Sequence, residues 1–552
     1  MKVLIIGGVA GGATAAARLR RLDENAEIVI LERSGYISYA NCGLPYYIGG
    51  KIMERGELTL QTPESFFARF RIDVRTRHEA LKIDKKNKTV TVRDLEKGTE
   101  YSESYDRLIL SPGARPAVPD MPGAEGDRVF TLRTVEDTFR IYDHIERSGA
   151  LSAVVIGGGF IGLEMAENLK SRGLEVTLLQ RSGHVMPPLD EDMAALVHNY
   201  IKGSGIALRR NCAVEGIEDN GPVKRVVTKD GRPAEGDIVI MAVGVVPESA
   251  LAGEAGLALG IKGAIKTDEH MQTSEKDIYA VGDAVEVKNF VSGEDAVISL
   301  AGPANKQGRI AADNICGVKS SFKGSQGSSV LKLFGMTIAS TGLNERTAAA
   351  AGLEYDYVIT NGMSHAAYYP GAEPMTVKII FEKSSGRILG AQIVGGSGAD
   401  KRIDVLATAI RANMTAFDLT ELDLAYAPPY SSAKDPVNMA GYVMENLLTG
   451  KVKQLHWRDV EKLPEGSVLL DTRTDFEYNS GHIEGAIHIP LDDLRENMDK
   501  LPEDKTLYVY CHSGLRSYIA CRILSQNGFD CFNISGGYGF YAQVKTGLQD
   551  EK

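Results

Sequence analysis

Short apolar runs alternate with glycine-rich turns and small-residue segments at the start of the chain. Apolar residues fill most of Lys2–Ile6, glycines dominate positions 7–12, and a second apolar run at 27–31 ends at Glu32. The same order returns at 153–179 around a second glycine-rich turn. Brief apolar runs bounded by glycine indicate buried strands, and the segment between them indicates a helix. The pattern therefore predicts two βαβ units of the dinucleotide-binding type.

The first glycine-rich turn departs slightly from the usual dinucleotide motif. Val9 stands where G-x-G-x-x-G has its second glycine, while Gly7, Gly8 and Gly11 allow a tight turn. Such a turn brings a pyrophosphate to the N-terminus of the following helix. Glu32 ends the next strand and is placed to accept hydrogen bonds from ribose hydroxyls.

The second turn has the full motif, with glycines at positions 157, 159 and 162. The strand after it, Glu175–Leu179, ends in Gln180 and Arg181 instead of an acid. Arg181 can meet the 2′-phosphate of NADPH or belong to a plain surface, so the choice between NADH and NADPH stays open. Two such units predict two bound dinucleotides.

Further apolar runs complete the predicted sheets. Buried strands are expected at 108–110 and Ile238–Met241, and the segment 277–283 predicts a strand ending in Gly-Asp. That ending places the Asp283 carboxylate where it can accept hydrogen bonds from the ribityl hydroxyls of a flavin, although a lone Gly-Asp is otherwise a simple turn. A hairpin is predicted around 85–88. Later predictions are strands at 376–381 and 388–394 and a helix at about 400–413.

Cys42 is the candidate redox residue near the first unit. No other cysteine lies within the next hundred residues. A helix starting near Cys42, with Pro45 in its first turn, would direct its free N–H groups at the sulfur and favour the thiolate. A buried structural cysteine is the commoner alternative. The position of Cys42 beside a flavin-type motif favours the functional interpretation.

Thr14, Arg18 and Arg21 are spaced four and three residues apart, so they share one face of the first predicted helix. This face is either a solvated basic surface or a clamp for the phosphates of an adenine-nucleotide substrate. The two interpretations are about equally supported by the residues alone.

Composition excludes several classes of function. The chain has 552 residues, enough for three or four domains, and a net charge of -11, which argues against nucleic acid and anionic membranes as partners. Its six cysteines form no CxxC or paired framework, which predicts a reducing, cytoplasmic location. The first ten residues resemble a signal peptide only briefly, and no apolar stretch is long enough to span a membrane. No metal site is predicted.

The pattern restarts after about residue 457 as a small βα domain. Cys511 follows an apolar run and precedes a helix predicted at 515–527, in the loop Cys-x-x-Gly-x-Arg-Ser. Loop N–H groups and Arg516 would lower the pKa of Cys511 and hold a persulfide anion. Phosphatase loops of this kind are one residue longer, so the shorter loop favours sulfur chemistry. Cys521 and Cys531 are expected to be core or surface residues, and Cys531 can be an accessory thiol.

Taken together, these motifs resemble the two-dinucleotide flavoprotein disulfide reductases over residues 1 to about 446. The segment 38–45, Ser-Tyr-Ala-Asn-Cys-Gly-Leu-Pro with a single cysteine, is similar to the coenzyme A-disulfide reductases, and residues 455–552 resemble a rhodanese domain. Tyr541 stands where rhodaneses commonly have Trp. The resemblance implies an α/β chain with two Rossmann-like domains for FAD and NAD(P), an α+β dimerisation domain and a C-terminal α/β rhodanese domain. The expected boundaries are 1–113 with 247–322 for FAD, 114–246 for NAD(P), 323–446 for dimerisation, 447–456 for a linker and 457–552 for rhodanese.

The resemblance also implies the site residues. For FAD they are Gly7, Gly8, Ala10, Gly11, Glu32, Arg33, Ser111, Gly113 and Asp283. For NAD(P) they are Gly157, Gly159, Ile161, Gly162, Gln180, Arg181 and Gly244. For coenzyme A they are Thr14, Arg18, Arg21, Ser38, Asn41 and Lys434. The implied catalytic residues are Cys42, Cys511, Arg516 and two tyrosines from the other subunit of a homodimer, best matched by Tyr368 and Tyr426, with Tyr369 and Tyr430 as neighbours that leave the register open.

The implied function is reduction of a coenzyme A persulfide, polysulfide or disulfide by NAD(P)H through FAD and Cys42, with the rhodanese domain handling sulfane sulfur. Two alternatives remain open at this point. A single-cysteine flavoprotein can be an NADH peroxidase or oxidase that uses a sulfenic acid. The chain can also be chiefly a sulfurtransferase. The sequence leaves open the physiological sulfur compound and the donor that loads Cys511.

Overall fold

A computed structural model describes residues 1–549 of the chain. The chain forms two compact units. The first unit contains residues 1–183 and 206–327, and the second contains residues 184–205 and 328–549. The segment 184–205, which lies inside the predicted nicotinamide domain, therefore groups with the second unit. Within the described residues, no helix is long and apolar enough to cross a bilayer.

The first glycine-rich turn belongs to a five-stranded parallel sheet. In spatial order its strands are Ile278–Ala280, Arg107–Leu110, Lys2–Ile6, Glu27–Glu32 and Asp73–Thr76. The central strands are almost fully buried because helices cover parallel sheets on both faces, which explains their continuous apolar runs. An antiparallel sheet of His78–Asp84, Thr89–Asp94 and Glu100–Ser104 contains the predicted hairpin.

The second glycine-rich turn belongs to another five-stranded parallel sheet, with strand order Val129–Phe130, Ile238–Met241, Ser152–Ile156, Glu175–Leu179 and Ala207–Arg209. Ala114–Pro116 pairs antiparallel with Val245–Pro247, so the chain leaves and re-enters the first fold through one two-stranded ribbon. The other strands of this unit are Ile37–Tyr39, Thr59–Gln61, Val214–Asn220, Val223–Thr228, Ala234–Gly236, Val287–Lys288 and Asp295–Ala296. Its α-helices are Ala10–Leu22, Leu44–Ile48, Pro63–Phe70, Val135–Ser148, Phe160–Ser171, Ala250–Glu254 and Ala301–Ile315.

The second unit contains two sheets of different kinds. The first is antiparallel, in the order Ser329–Leu333, Met336–Gly342, Ile388–Gly395, Pro374–Glu382 and Tyr355–Met363. The second is parallel, in the order Lys453–Leu455, Cys531–Ile534, Leu507–Tyr510, Val468–Asp471 and Ile487–His488. The α-helices of this unit are Glu191–Gly203, Glu345–Ala350, Ala399–Arg411, Ala416–Thr420, Pro436–Leu448, Asp475–Asn479, Leu515–Gln526 and Gly537–Leu548.

A buried ion cluster joins three segments of the second unit. The Lys378 ammonium lies 3.0 Å from Asp190, 2.8 Å from Asp192 and 2.6 Å from Glu345, and its side chain is fully buried. The indole of Trp457, at the start of the rhodanese-like segment, donates to Asp192 at 3.3 Å. The three carboxylates are close enough to share a metal ion, but Lys378 already supplies the positive charge between them. Contacts in this ion cluster hold the helix Glu191–Gly203 and the segment around Trp457 against the antiparallel sheet.

Candidate active site

The first glycine-rich turn fits a dinucleotide. A Cβ on Gly7, whose φ is 98°, would lie 2.0 Å from the carbonyl oxygen of Ser111, so the tight turn requires glycine. The Glu32 carboxylate accepts hydrogen bonds of 2.9 Å from the backbone N–H groups of Gly8 and Ser34. The helix that starts at Ala10 has no side-chain cap and no acid in its first turn. Its free N–H groups are therefore available to a pyrophosphate.

The remaining residues expected to hold the flavin lie in the same unit. Asp283 is in the turn Gly282–Ala284. Its carboxylate forms an ion pair with Arg133, with a nitrogen–oxygen distance of 2.8 Å. A Cβ on Gly113, whose φ is 74°, would lie 3.2 Å from Arg133. Gly11 is buried, and its Cβ position is 3.0 Å from the Ser111 hydroxyl. Arg33 is exposed and pairs with Glu248 at 3.4 Å. The chemistry of these residues fits a flavin dinucleotide.

The second turn repeats this geometry with an amide in place of the acid. A Cβ on Gly157 would lie 2.3 Å from the Ala242 carbonyl oxygen, and one on Gly162 would lie 1.8 Å from the Gly157 carbonyl oxygen. The Gly158 N–H donates to the Gln180 amide oxygen at 2.8 Å, as Gly8 donates to Glu32. Positions lining this turn stay open: Cβ atoms at Gly159 and Gly244 would meet nothing within 4 Å, Ile161 is half-buried and Arg181 is exposed. The residues therefore fit a second dinucleotide.

Cys42 lies in a short turn, as its sequence context predicts. It occupies the 3-10 turn Asn41–Gly43, which leads directly into the helix Leu44–Ile48 with Pro45 in the first turn. Ser38 precedes it with a left-handed φ of 46°, an uncommon backbone conformation for a residue other than glycine, and its N–H donates to Gly8 at 2.9 Å. This hydrogen bond places the Cys42 turn next to the first glycine-rich turn, and the residue is exposed.

The electrostatics of Cys42 differ from the expectation. Partial burial of the sulfur raises the pKa of Cys42, and the nearby Glu164 carboxylate raises it further, while Arg133 lowers it. The predicted thiolate-favouring environment was therefore wrong for the chain alone. Burial and the Glu164 carboxylate of the second βαβ unit raise the pKa of Cys42, and the helix that follows Cys42 has only five residues.

Two of the three residues of the predicted phosphate clamp already bind other side chains of the protein. The Arg18 Nε lies 2.7 Å from Asp313, and the Thr14 hydroxyl donates to Asn305 at 2.7 Å. Arg21, at the end of the same helix, is exposed. Because Arg18 already has a carboxylate partner, Arg21 is the better candidate for an incoming phosphate.

The second unit brings the two predicted tyrosines together. The hydroxyls of Tyr368 and Tyr426 are 2.7 Å apart, and the two residues are 75% and 46% exposed. Tyr430 and Tyr369 are also exposed, at 73% and 42%. Lys434 is exposed a few residues later. Tyrosines are enriched at protein interfaces, so these exposed tyrosines favour an interface on this domain.

The Cys511 loop cradles a buried sulfur. Cys511 is fully buried, and its sulfur accepts hydrogen bonds from the Gly514 N–H at 3.1 Å and the Ser517 hydroxyl at 3.4 Å. Gly514 has a φ of 101°, which allows the loop to turn its N–H inward. The loop is braced by the Tyr538 N–H, which donates to the Cys511 carbonyl oxygen at 2.7 Å. This arrangement can hold an anionic sulfur.

Several residues that lie beside the candidate site residues were not predicted from the sequence. Arg516 is held by Glu477 through two bonds of 2.7 and 2.6 Å. The signal for Glu477 was the capping box Thr474-x-x-Glu477, which starts the helix Asp475–Asn479. Arg133 and Glu164 had no such local signal, because they approach Cys42 only through the tertiary fold.

Comparisons with known proteins agree with this architecture. Family models match three segments: "Pyridine nucleotide-disulphide oxidoreductase" over residues 1–308, the dimerisation domain of the same family over 329–436, and "Rhodanese-like domain" over 456–542. A coenzyme A disulfide reductase from Staphylococcus haemolyticus is 38% identical over 447 residues, covering 81% of this chain and 100% of the relative.

Two solved structures cover nearly the whole chain. One is a reduced Bacillus anthracis CoADR-RHD, with a TM-score of 0.97 and 50% identity over 98% of each chain. The other is an NAD-dependent persulfide reductase from A. fulgidus, with a TM-score of 0.92 and 42% identity over 98% of this chain and 100% of the other.

Proposed function

The chain belongs to the pyridine nucleotide-disulphide oxidoreductase family, and from that premise we propose that it reduces a coenzyme A persulfide or disulfide at Cys42. FAD and NAD(P)H are the cofactors of this family. Bound FAD and NAD(P)H would supply the hydride and two-electron chemistry needed to reduce a disulfide that includes Cys42. The observation that carries the proposal is the coexistence of Cys42, in a turn beside the first dinucleotide fold, with the cradled Cys511 sulfur.

The proposal assigns each step of the reaction to particular residues of the chain. The Cys42 thiolate attacks the sulfur bonded to coenzyme A in the persulfide; a Cys42–coenzyme A disulfide forms, and the outer sulfur leaves as hydrosulfide. With coenzyme A disulfide the leaving group is coenzyme A thiolate. The hydroxyl pair Tyr368 and Tyr426, supplied by a partner subunit, is placed by this proposal to protonate the leaving sulfur. Ser38, Asn41, Arg21 and Lys434 are proposed to hold the substrate.

The domain boundaries in this proposal are those predicted from the sequence. The ribbon of Ala114–Pro116 with Val245–Pro247 supports the crossings between the FAD and NAD(P) domains near residues 114 and 247. The matched dimerisation domain and the exposed tyrosines support a homodimer. In the rhodanese domain, Cys511 is proposed to carry sulfane sulfur as a persulfide, with Arg516 beside it.

One steady-state experiment tests the proposal against its alternatives. NADH and NADPH oxidation would be measured with coenzyme A persulfide, coenzyme A disulfide, hydrogen peroxide and molecular oxygen, and sulfur transfer with thiosulfate and cyanide. Fast turnover on the coenzyme A compounds supports the proposal. Turnover confined to peroxide or oxygen would instead assign a peroxidase or oxidase, and activity confined to thiosulfate and cyanide would assign a sulfurtransferase.

A further inference from the structure

The Arg516 guanidinium of the Cys511 loop is already bound to an acid. Its Nη1 and Nη2 donate to the two carboxylate oxygens of Glu477 at 2.7 and 2.6 Å, the two-pronged geometry that arginine otherwise offers to an oxyanion. The Glu477 side chain is further held by the Thr474 N–H at 3.0 Å and hydroxyl at 2.9 Å. Two of the Arg516 N–H donors and the charge of its guanidinium are therefore already matched by Glu477.

The negative charge of Glu477 affects which sulfur donor can approach the Cys511 loop. Hydrogen bonding with Arg516 lowers the pKa of Glu477 to about 2, so the acid is ionised at neutral pH. A thiosulfate dianion would have to displace or oppose that carboxylate, and its leaving group, sulfite, would also be a dianion. Gly514 and Ser517 donate uncharged hydrogen bonds to the sulfur, so the positive charge next to Cys511 comes from Arg516, which shares it with Glu477.

Exposed apolar side chains flank the same ion pair. Phe476, next to Glu477, is 81% exposed, and Leu515, next to Arg516, is 57% exposed. Ile519 follows Leu515 by four residues, so both lie on one face of the helix Leu515–Gln526. The surroundings of the loop therefore offer apolar contact and a neutral ion pair, a poor match for a small dianion and a good match for an uncharged organic arm.

We propose that Glu477 and the apolar residues Phe476, Leu515 and Ile519 select organic persulfides with an uncharged arm as the donors to Cys511, and discriminate against thiosulfate. This inference rests on the proposed role of Cys511 as a sulfur carrier. In the selected step the Cys511 thiolate attacks the outer sulfur of R–S–S⁻. A Cys511–sulfur bond forms, the original S–S bond breaks, and R–S⁻ leaves, so one sulfur is transferred without net oxidation.

The test measures loading of Cys511 in the full-length, FAD-loaded protein without NAD(P)H. Pantetheine persulfide and thiosulfate serve as donors, and mass spectrometry of the Cys511 peptide after alkylation measures the added sulfur. In the unchanged protein, pantetheine persulfide should load Cys511 at least about tenfold faster than thiosulfate, the difference expected for one lost charge-assisted contact. Glu477→Gln should raise the thiosulfate rate about tenfold and change the pantetheine persulfide rate less than about twofold.

Two further variants keep the outcome interpretable. Glu461→Gln breaks an exposed ion pair with Lys545 in the same domain and should change neither rate. Phe476→Ser should slow only pantetheine persulfide. Equal loading of the unchanged protein by the two donors, or an unchanged thiosulfate rate in folded Glu477→Gln, would overturn donor selection while Cys511 remains a sulfur carrier. Failure of every donor to load Cys511 would instead remove the carrier role, and donor selection with it.

Discussion

Tyr46 and Glu164 form a hydrogen bond of 3.5 Å beside Cys42, although 118 residues separate them in the chain. Burial raises the pKa of Glu164 to about 7, and burial together with Glu164 raises the pKa of Tyr46 to about 12. The same Glu164 carboxylate raises the pKa of Cys42. The second βαβ unit thus places beside Cys42 an acid that itself titrates near neutral pH.

The first prediction concerns the pH dependence of Cys42. Above about pH 7 Glu164 is ionised, and its negative charge opposes thiolate formation. Glu164→Gln removes that charge and keeps a polar group beside Tyr46, so the pKa of Cys42 should fall. The rate of Cys42 alkylation in the oxidised holoenzyme, followed against pH, measures this shift.

Tyr46→Phe is the matched control for this pH profile. The Tyr46 hydrogen bond lowers the pKa of Glu164, so its loss should keep Glu164 protonated to higher pH and ease Cys42 ionisation near neutrality. An alkylation profile that is the same in all three proteins would show that Glu164 does not govern Cys42.

The second prediction assigns the redox role to Cys42. Cys42→Ser should retain FAD and its oxidised absorbance spectrum but lose reduction of coenzyme A persulfide and disulfide by at least about 1000-fold, because a hydroxyl cannot form the mixed disulfide. Cys316→Ser, a half-buried cysteine at the end of the helix Ala301–Ile315, is the control and should remain active. Substantial turnover by Cys42→Ser would require another thiol.

The third prediction concerns the tyrosine pair. If Tyr368 and Tyr426 serve the active site of a partner subunit, Tyr426→Phe should slow substrate reduction about 10- to 100-fold and leave flavin reduction by NADH nearly unchanged. Stopped-flow absorbance separates the two half-reactions. Tyr442→Phe, on the helix Pro436–Leu448, should affect neither. Sedimentation should show a dimer; a fully active monomer at micromolar concentration would contradict the shared site.

Much of the fold was predictable because its signals are local. Lys2–Ile6 and Ile238–Met241 form strands as predicted, and the helix predicted at 515–527 is Leu515–Gln526. Apolar runs, glycine turns and helical spacing are set by neighbouring residues, so one sequence is enough to find them. The predicted fold class is confirmed by the parallel and antiparallel sheets and by the matched families.

The electrostatics of the site were not predictable in the same way. The pKa of Cys42 depends on Glu164 and Arg133, and Arg18 is paired with Asp313, which lies 295 residues away in the chain. Such charges meet only after folding, and a sequence pattern contains no distance between them. The Glu477–Arg516 pair was predictable only in part. The capping motif predicts the helix that contains Glu477, but it does not identify Arg516 as the partner.

The fourth prediction concerns the ion cluster around Lys378. Lys378→Met would leave the carboxylates of Asp190, Asp192 and Glu345 buried without their central cation. Loss of one partner from a buried ion pair costs about 3–5 kcal/mol, so the second unit should unfold at lower urea concentration. Circular dichroism in urea measures this change. Lys451→Met, which removes a surface ion pair with Glu445, should unfold almost like the unchanged protein.

The last prediction concerns how sulfur passes from Cys511 to Cys42. Each thiol is held in a turn of its own unit, Cys511 by Gly514 and Ser517 and Cys42 in the turn Asn41–Gly43. A mobile thiol is therefore the proposed carrier, and the flexible arm of coenzyme A provides one. Adding catalytic coenzyme A to pantetheine persulfide should increase NADH oxidation, and Cys511→Ala should abolish that increase. Direct reduction of coenzyme A persulfide should stay largely intact in Cys511→Ala.

Arg21 provides the second arm of this test. It is the exposed cation of the proposed phosphate clamp, whereas Arg18 is already paired with Asp313. Arg21→Ala should raise the KM for coenzyme A persulfide about 3- to 10-fold and leave the KM for pantetheine persulfide unchanged, because only the coenzyme A compound has the nucleotide phosphates. Arg147→Ala, another exposed arginine of the first unit, is the control. If Cys511→Ala removed all reductase activity with FAD bound, the Cys511 loop would belong to the reductive step itself, and the carrier proposal would fail.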